Sequence, residues 1–323
     1  MRSSVRTLVD LASRIPGAPL VAPRTPVVLL YHGVPMDDSD PVSARAFETQ
    51  VAFLAEHCEF VSPGQIDDRR APYERLRVVL TFDDGFRNNA DVAAPILRRY
   101  GVPALFFVSS RHATRGKYLW FSYLRALERF YPGEELAFRD TVLDMRPAAR
   151  AESVRWLQRT LLTLRPHPSA MYQAIETELP QLEGFVDAQS LTDLYAGMTA
   201  EQVAALAADP LFSIGIHTED HPFLTRCEPE EAVRQVQRNR KWIEDACGRP
   251  CDTIAYPGGD YDDAVLDMCR HARIDHGFAV MPRSARRSRM EIPRIGVYAE
   301  STAALGFKAH WGSALRRAGL RVG

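Results

Sequence analysis

Long apolar runs are missing from this chain, and so is any excess of charge of one sign. No stretch stays apolar over the roughly 20 residues that a membrane-crossing helix needs, so hydropathy excludes such a span. In the opening MRSSVRTLVDLASRIPGAPLVAP, Asp10, Ser13 and Arg14 interrupt the one apolar stretch. A secretory signal is therefore not expected, and a cytoplasmic location, or the cytoplasmic face of a membrane, is. Lys and Arg number 40 against 41 Asp and Glu, for a net charge of −1. That balance gives no overall field to draw the chain to nucleic acid. Cysteines are few: Cys58, Cys227, Cys247, Cys251 and Cys269, an odd number scattered along the chain. They make no disulfide framework, and Cys247 and Cys251 in CGRPC have no second pair with which to build a zinc site. What remains is 323 residues, 46% apolar and 25% charged, enough for a large buried core.

From Pro26 a rhythm of short β-branched or aromatic runs and helical segments sets in. VVLLYH (Val27–His32), RVVLTFDD (Arg77–Asp84) and PALFFVSS (Pro103–Ser110) read as strands buried on both faces. Ser43–His57 reads as an amphipathic helix, and PILRRYG as a short one opened by Pro95 and capped by Gly101. Arg111–Met198 reads as a helical insert with Trp120, Phe121, Leu124, Leu127 and Phe130 near one stripe, where core is the expected use of the aromatics. Alternation then resumes. Thr199 and Gln202 form a capping box before FSIGIH (Phe212–His217), and Pro229–Gly248 is a long helix. TIAYP, DDAVLDMCRHAR and HGFAV add a strand, a helix and a strand. Repeated β–α units predict an α/β fold, a barrel or an open sheet of parallel strands wrapped by helices.

Chemistry in such folds gathers at the carboxyl ends of strands. There the sequence places His32, the adjacent pair Asp83–Asp84, His217 and Tyr256. Asp-Gly alone is ordinary turn chemistry, and a lone HxxxH is ordinary on a surface helix. Together, two imidazoles four residues apart and a carboxylate make a common divalent-metal set with open positions.

TFDDG (Thr81–Gly85), HTEDH (His217–His221) and AYPGG (Ala255–Gly259), in that order, resemble the polysaccharide deacetylases that share the NodB-homology domain, carbohydrate esterase family 4. LLYHGV followed by a helical FETQVAFL is similar to the branch of biofilm poly-N-acetylglucosamine deacetylases. The likeness covers roughly residues 26–110 and 210–298. It implies a distorted (β/α) barrel, here residues 26–300 interrupted by the insert at 111–198, with an extension at 1–25 and a helical tail at 301–323. It also implies that Asp84, His217 and His221 hold a divalent metal, with Asp83 as general base and His32 as general acid. The backbone N–H of Tyr256, followed by Pro257, would stabilise the oxyanion. Where many members carry an arginine beside the base, this chain has Ala255; Arg294 in EIPRIGV is the candidate replacement, from the need for charge and its strand context. Glu219 and Asp220, between the histidines, are either solvated or in contact with the imidazoles.

The expected activity is metal-dependent removal of N-acetyl groups from an amino-sugar polysaccharide or glycan precursor. Zn²⁺ is the default ion, with Co²⁺, Ni²⁺ or Mn²⁺ able to replace it. One alternative is deformylation or deacetylation of a lipid- or nucleotide-linked sugar, and another a silent carbohydrate-binding module. The arginine-rich run Met281–Arg289 reads as a solvated loop.

Overall fold

Among the described residues there are ten strands: β1 (Val27–Tyr31), β2 (Glu59–Phe60), β3 (Arg77–Phe82), β4 (Ala104–Val108), β5 (Glu135–Phe138), β6 (Thr141–Asp144), β7 (Phe212–Ile216), β8 (Thr253–Ala255), β9 (His276–Ala279) and β10 (Ile292–Gly296). They come from a computed structural model, which describes residues 24–317 apart from 39, 41, 70–74, 117, 165, 284–287 and 299–300. The expected extension therefore lies outside the described residues as far as residue 23. So do the centre of the arginine-rich run, Arg165 of RPHP and the last six residues of the tail.

Seven strands form a closed parallel ring in the order β1-β3-β4-β7-β8-β9-β10, because β1 pairs with both β3 and β10. The fold is the (β/α) barrel expected, and closure removes the exposed edges that an open sheet would carry. Alternation along each strand separates two cores. Val28, Val79, Leu105, Phe107, Ala255, Phe278 and Ile292 pack together inside the ring. Their neighbours in sequence, among them Leu29, Val78, Leu80, Phe106 and Ile254, pack in the core beneath the helices. Both faces are buried, hence the near-continuous apolar runs. Across β4 and β7, Phe107 faces Gly215, where an added Cβ would come within 2.5 Å of the Phe107 ring. Glycine there makes room for a large ring in a narrow barrel.

The helices follow from local signals. Ser43 caps α1 (Ala44–His57), which buries Phe47, Val51 and Leu54. Pro95 lies in the first turn of α2 (Ala94–Tyr100), and Gly101 ends it at φ 63°. Between β4 and β7, α3 (Arg111–Arg115), α4 (Trp120–Phe130), α5 (Arg150–Leu161) and α6 (Pro168–Glu178) form a helical layer with its own core around Leu127, Leu157 and Ile175. That region is not purely helical. β5 and β6 form an antiparallel hairpin, burying Leu136, Phe138 and Leu143 by period-two alternation within a run whose flanks are helical. α7 (Ala200–Ala208) opens on the Thr199–Gln202 capping box, and α8 (Pro229–Cys247) ends at Gly248. α9 (Asp263–His271) and α10 (Thr302–Arg317) complete the described chain. Among the described residues no helix is long and apolar enough to cross a membrane.

Candidate active site

Strand parity aims the site. In β3 Val79 points into the barrel, so Thr81 and Asp83 continue that inward row at its carboxyl end. Ile292 sets the same row for Arg294 in β10. Arg294 is fully buried and donates two hydrogen bonds to Asp83, at 2.6 Å to Oδ1 and 2.7 Å to Oδ2. This fork-on-carboxylate pair is the strongest form of such contact. Burial pushes the Asp83 carboxyl up, but the Arg294 charge and hydrogen bonds outweigh it, and the group rests below the usual carboxylate range.

The backbone then leaves the strand. Asp84 (φ 74°) and Gly85 (φ 78°) are both left-handed, which turns the second carboxylate out of the strand's alternation. Gly85 has no alternative, since a Cβ would meet Val108 Cγ1 at 2.6 Å. Asp84 Oδ1 lies 3.4 Å from His217 Nε2 and 3.3 Å from His221 Nε2. All three residues are buried, and their ligand atoms lie within 4.8 Å of one another.

This trio fits a divalent cation on its own chemistry. His217 Nδ1 donates to Ala255 O at 2.9 Å, which leaves Nε2 as the lone-pair nitrogen facing Asp84. Burial pulls the His217 imidazole down, but Asp83 and Asp84 raise it further, so this pocket favours a positive charge. The His221 imidazole is lowered, chiefly by burial, and so is poised as a neutral ligand. Asp84 is held well below its usual value: burial opposes ionisation, and the two adjacent imidazoles of His217 and His221 overcome it. The left-handed Thr218 (φ 65°) and His221 (φ 52°) add local backbone cost of the kind that collects at functional sites.

His32 follows β1 on the opposite flank, half-buried and stacked on Tyr298 at 5.8 Å between centroids. It lines a cleft of about 330 Å³ with Phe86, Arg125, Tyr195 and Tyr298. Burial lowers its pKa below 6.5 against the pull of Asp84 and Asp83. The asparagines that end the DDGFRNN stretch pin this loop: Asn89 Nδ2 donates to His32 O at 2.7 Å, and Val34 N donates to Asn88 Oδ1 at 2.9 Å.

One expectation is corrected and one pair of alternatives is narrowed. The Tyr256 amide is not a free donor, because it donates to Phe278 O at 3.3 Å across the barrel ladder. Pro257, next to it, carries no N–H at all. Tyr256 instead packs its ring in the outer core and donates its hydroxyl to Met290 O at 2.9 Å. Glu219 and Asp220 are buried rather than solvated, and Asp220 accepts from Arg111 at 2.9 Å and from Gln235 at 2.8 Å. Arg111, Gln235 and Asn239, which receives the His217 amide at 3.0 Å, were not singled out by the sequence. Their partners lie far along the chain, and no motif spacing links them.

The profile of the polysaccharide deacetylase family matches residues 70–138 and 183–276, just over half of the chain. The chain belongs to the polysaccharide deacetylase family. Both matched blocks carry site motifs, Asp83–Asp84 in the first and His217–His221 in the second. The unmatched stretch between them, 139–182, falls inside the helical layer. YxkH of Bacillus subtilis (strain 168), itself named for polysaccharide deacetylase, is 29% identical over 86 residues, 25% of this chain and 30% of that protein. In fold, this deacetylase-family chain is similar to the Streptococcus pyogenes deacetylase PplD (TM-score 0.57, 17% identity, 90% of this chain and 99% of that one). It is also similar to IcaB from Ammonifex degensii (TM-score 0.56, 18% identity, 92% and 98%).

Proposed function

We propose that the chain is a metal-dependent carbohydrate N-deacetylase acting on an amino-sugar-containing polysaccharide or glycan precursor. One observation carries this reading: a buried two-histidine, one-carboxylate set stands beside a second carboxylate that Arg294 keeps ionised. Family membership supports the same reaction class. Asp84, His217 and His221 would hold the ion, Zn²⁺ by default, with Co²⁺, Ni²⁺ or Mn²⁺ also suited. A divalent ion there supplies Lewis acidity to the acyl oxygen and lowers the pKa of water by several units.

The chain's own groups do the rest. Asp83, fixed through both oxygens by Arg294, accepts a proton from the attacking water. The water oxygen bonds to the acyl carbon, the C–N bond breaks, and the amine leaves with a proton delivered by His32. With the Tyr256 amide committed to Phe278, this reading takes no hydrogen bond to the oxyanion from that group.

The test is acetate or formate release from a panel of N-acylated sugars, oligosaccharides and lipid-linked precursors, on metal-stripped protein with and without Zn²⁺ or Co²⁺. Metal-restored release that Asp83→Asn abolishes, while metal still binds, is the expected result. No release from any substrate by metal-loaded protein would leave a carbohydrate-binding module as the better reading.

One observation favours a second substrate class. Arg125 opens onto the His32 cleft with no carboxylate partner among the described residues, its guanidinium over the Phe121 ring at 5.4 Å. Arg129 beside it is spoken for by Asp37 at 2.6 Å. A cation left unpaired beside the acid group suits a sugar bearing an anionic substituent, such as a phosphate-linked glycan precursor. Such a substrate fits a cytoplasmic or membrane-face location.

A further inference from the structure

The two histidines of the candidate metal site are held by different means. His217 is tied to the barrel: its ring donates to Ala255 O, its amide donates to Asn239 Oδ1, and its carbonyl accepts from Ser109 Oγ at 2.8 Å. His221 has no equivalent. Its Nδ1 is buried without a hydrogen-bond partner among the described residues, and its backbone is left-handed at φ 52°. Something else must fix where its Nε2 points.

The helical layer supplies that. Trp120 Nε1, from the first turn of α4, donates to His221 O at 3.1 Å, and the Phe121 ring meets the imidazole at 4.8 Å between centroids, steeply inclined. One residue earlier, Asp220 O accepts the hydroxyl of Tyr172 from α6 at 2.9 Å. The same hydroxyl accepts from the Trp120 amide at 3.2 Å, which closes a circuit Trp120–His221–Asp220–Tyr172. Arg111 stacks 3.4 Å over the Tyr172 ring while bonding Asp220 Oδ1, so the circuit is backed by a buried cation. α8 adds Gln235 beneath Asp220 and Arg238 on Glu219, while the contacts to the His221 carbonyl and to the Asp220 carbonyl come from the layer.

We infer that Trp120 and Tyr172 are positioning residues for His221, so that the helical layer sets the metal affinity of a site whose other ligands belong to the barrel. This rests on the proposed reading of Asp84, His217 and His221 as ligands. It gives the layer a function beyond covering the barrel: it clamps a strained ligand through its main chain. A ring nitrogen bond ordinarily does this work, and losing such outer support typically costs ten- to a hundredfold in metal affinity.

The test uses the full chain and two conservative variants, Trp120→Phe and Tyr172→Phe. Each keeps a buried ring and removes one polar atom of the circuit. Tyr123→Phe is the control, since its hydroxyl serves the same layer by donating to Pro180 O at 2.7 Å, away from His221. Zn²⁺ affinity is read by competition with a chromophoric chelator, the Co²⁺ site by its visible absorption, and folding by far-ultraviolet circular dichroism. Expected are Zn²⁺ affinities lower by ten- to a hundredfold and altered Co²⁺ bands in the two circuit variants, with the control like wild type. Unchanged affinity and spectra in both circuit variants would overturn the inference while leaving the site intact. So would an equal loss in Tyr123→Phe, which would mean general loosening. A wild-type chain that binds neither ion would overturn the metal reading itself, and this inference with it.

Discussion

Arg294 grips both oxygens of Asp83 from a strand 211 residues further along the chain, and both residues are buried. A buried charge pair of this kind is costly to break from one side, because the partner is left ionised in an apolar barrel. Arg294→Met is therefore expected to lower unfolding free energy by about 3–5 kcal/mol. It should also cut turnover by two or more orders of magnitude, since the strongest influence holding the Asp83 carboxyl down against burial is then gone and its pKa rises. Arg294→Lys keeps the charge but not the fork and should fall between. Denaturant unfolding and deacetylation rates on the same preparations check both effects.

As the proposed acid, His32 would set the alkaline side of the pH profile. It would deliver a proton only when protonated, and burial holds its pKa below 6.5. The rate constant kcat/KM is expected to fall as pH rises above that value, with a limiting slope of about −1 on a logarithmic plot. In His32→Ala this limb should vanish along with most of the rate. A wild-type rate that stays flat from pH 6 to 8 would remove His32 from the role of acid.

Arg125→Ala addresses the substrate. If the free guanidinium reads an anionic substituent, KM for phosphate-bearing N-acyl sugars should rise about ten- to a hundredfold, the range for a hydrogen bond to a charged group. Neutral oligosaccharides should be hydrolysed as before. Equal effects on both substrate classes would count against an anionic partner.

His112 makes a separate prediction about stability. It is buried against Gly197 and Phe86, its Nε2 has no partner among the described residues, and burial pushes its pKa down to about 4. The unfolded chain takes up this proton near pH 6.5 and the folded chain only near 4. Stability is thus present above 6.5 and lost as pH falls towards 4, by up to about 3 kcal/mol. Thermal melts of His112→Leu should show a flatter dependence over that window than wild type.

Much of this could be read from the sequence because it is local. The inward row Val79–Thr81–Asp83 and the Thr199–Gln202 box need only strand parity and helix geometry. Arg294 was reachable by asking which charge could neutralise Asp83. The clamp on His221 was not, because Trp120, Tyr172 and Arg111 acquire their roles only when distant helices fold onto one loop. The β5–β6 hairpin was hidden for another reason: its two strands are four residues each and embedded in helical surroundings. β2, two residues long, has too short a pattern to show a period.

The closed ring has a consequence for the order in which the molecule can be finished. β1 stands between β3 and β10, and the clasp from Arg294 to Asp83 spans it. During synthesis Asp83 emerges long before the cation that tolerates its burial. Until β10 docks, the half-built barrel holds an acid it can keep inside only by protonating it. The last strand of the ring therefore both seals the wall and brings the cation that lets Asp83 stay charged inside it.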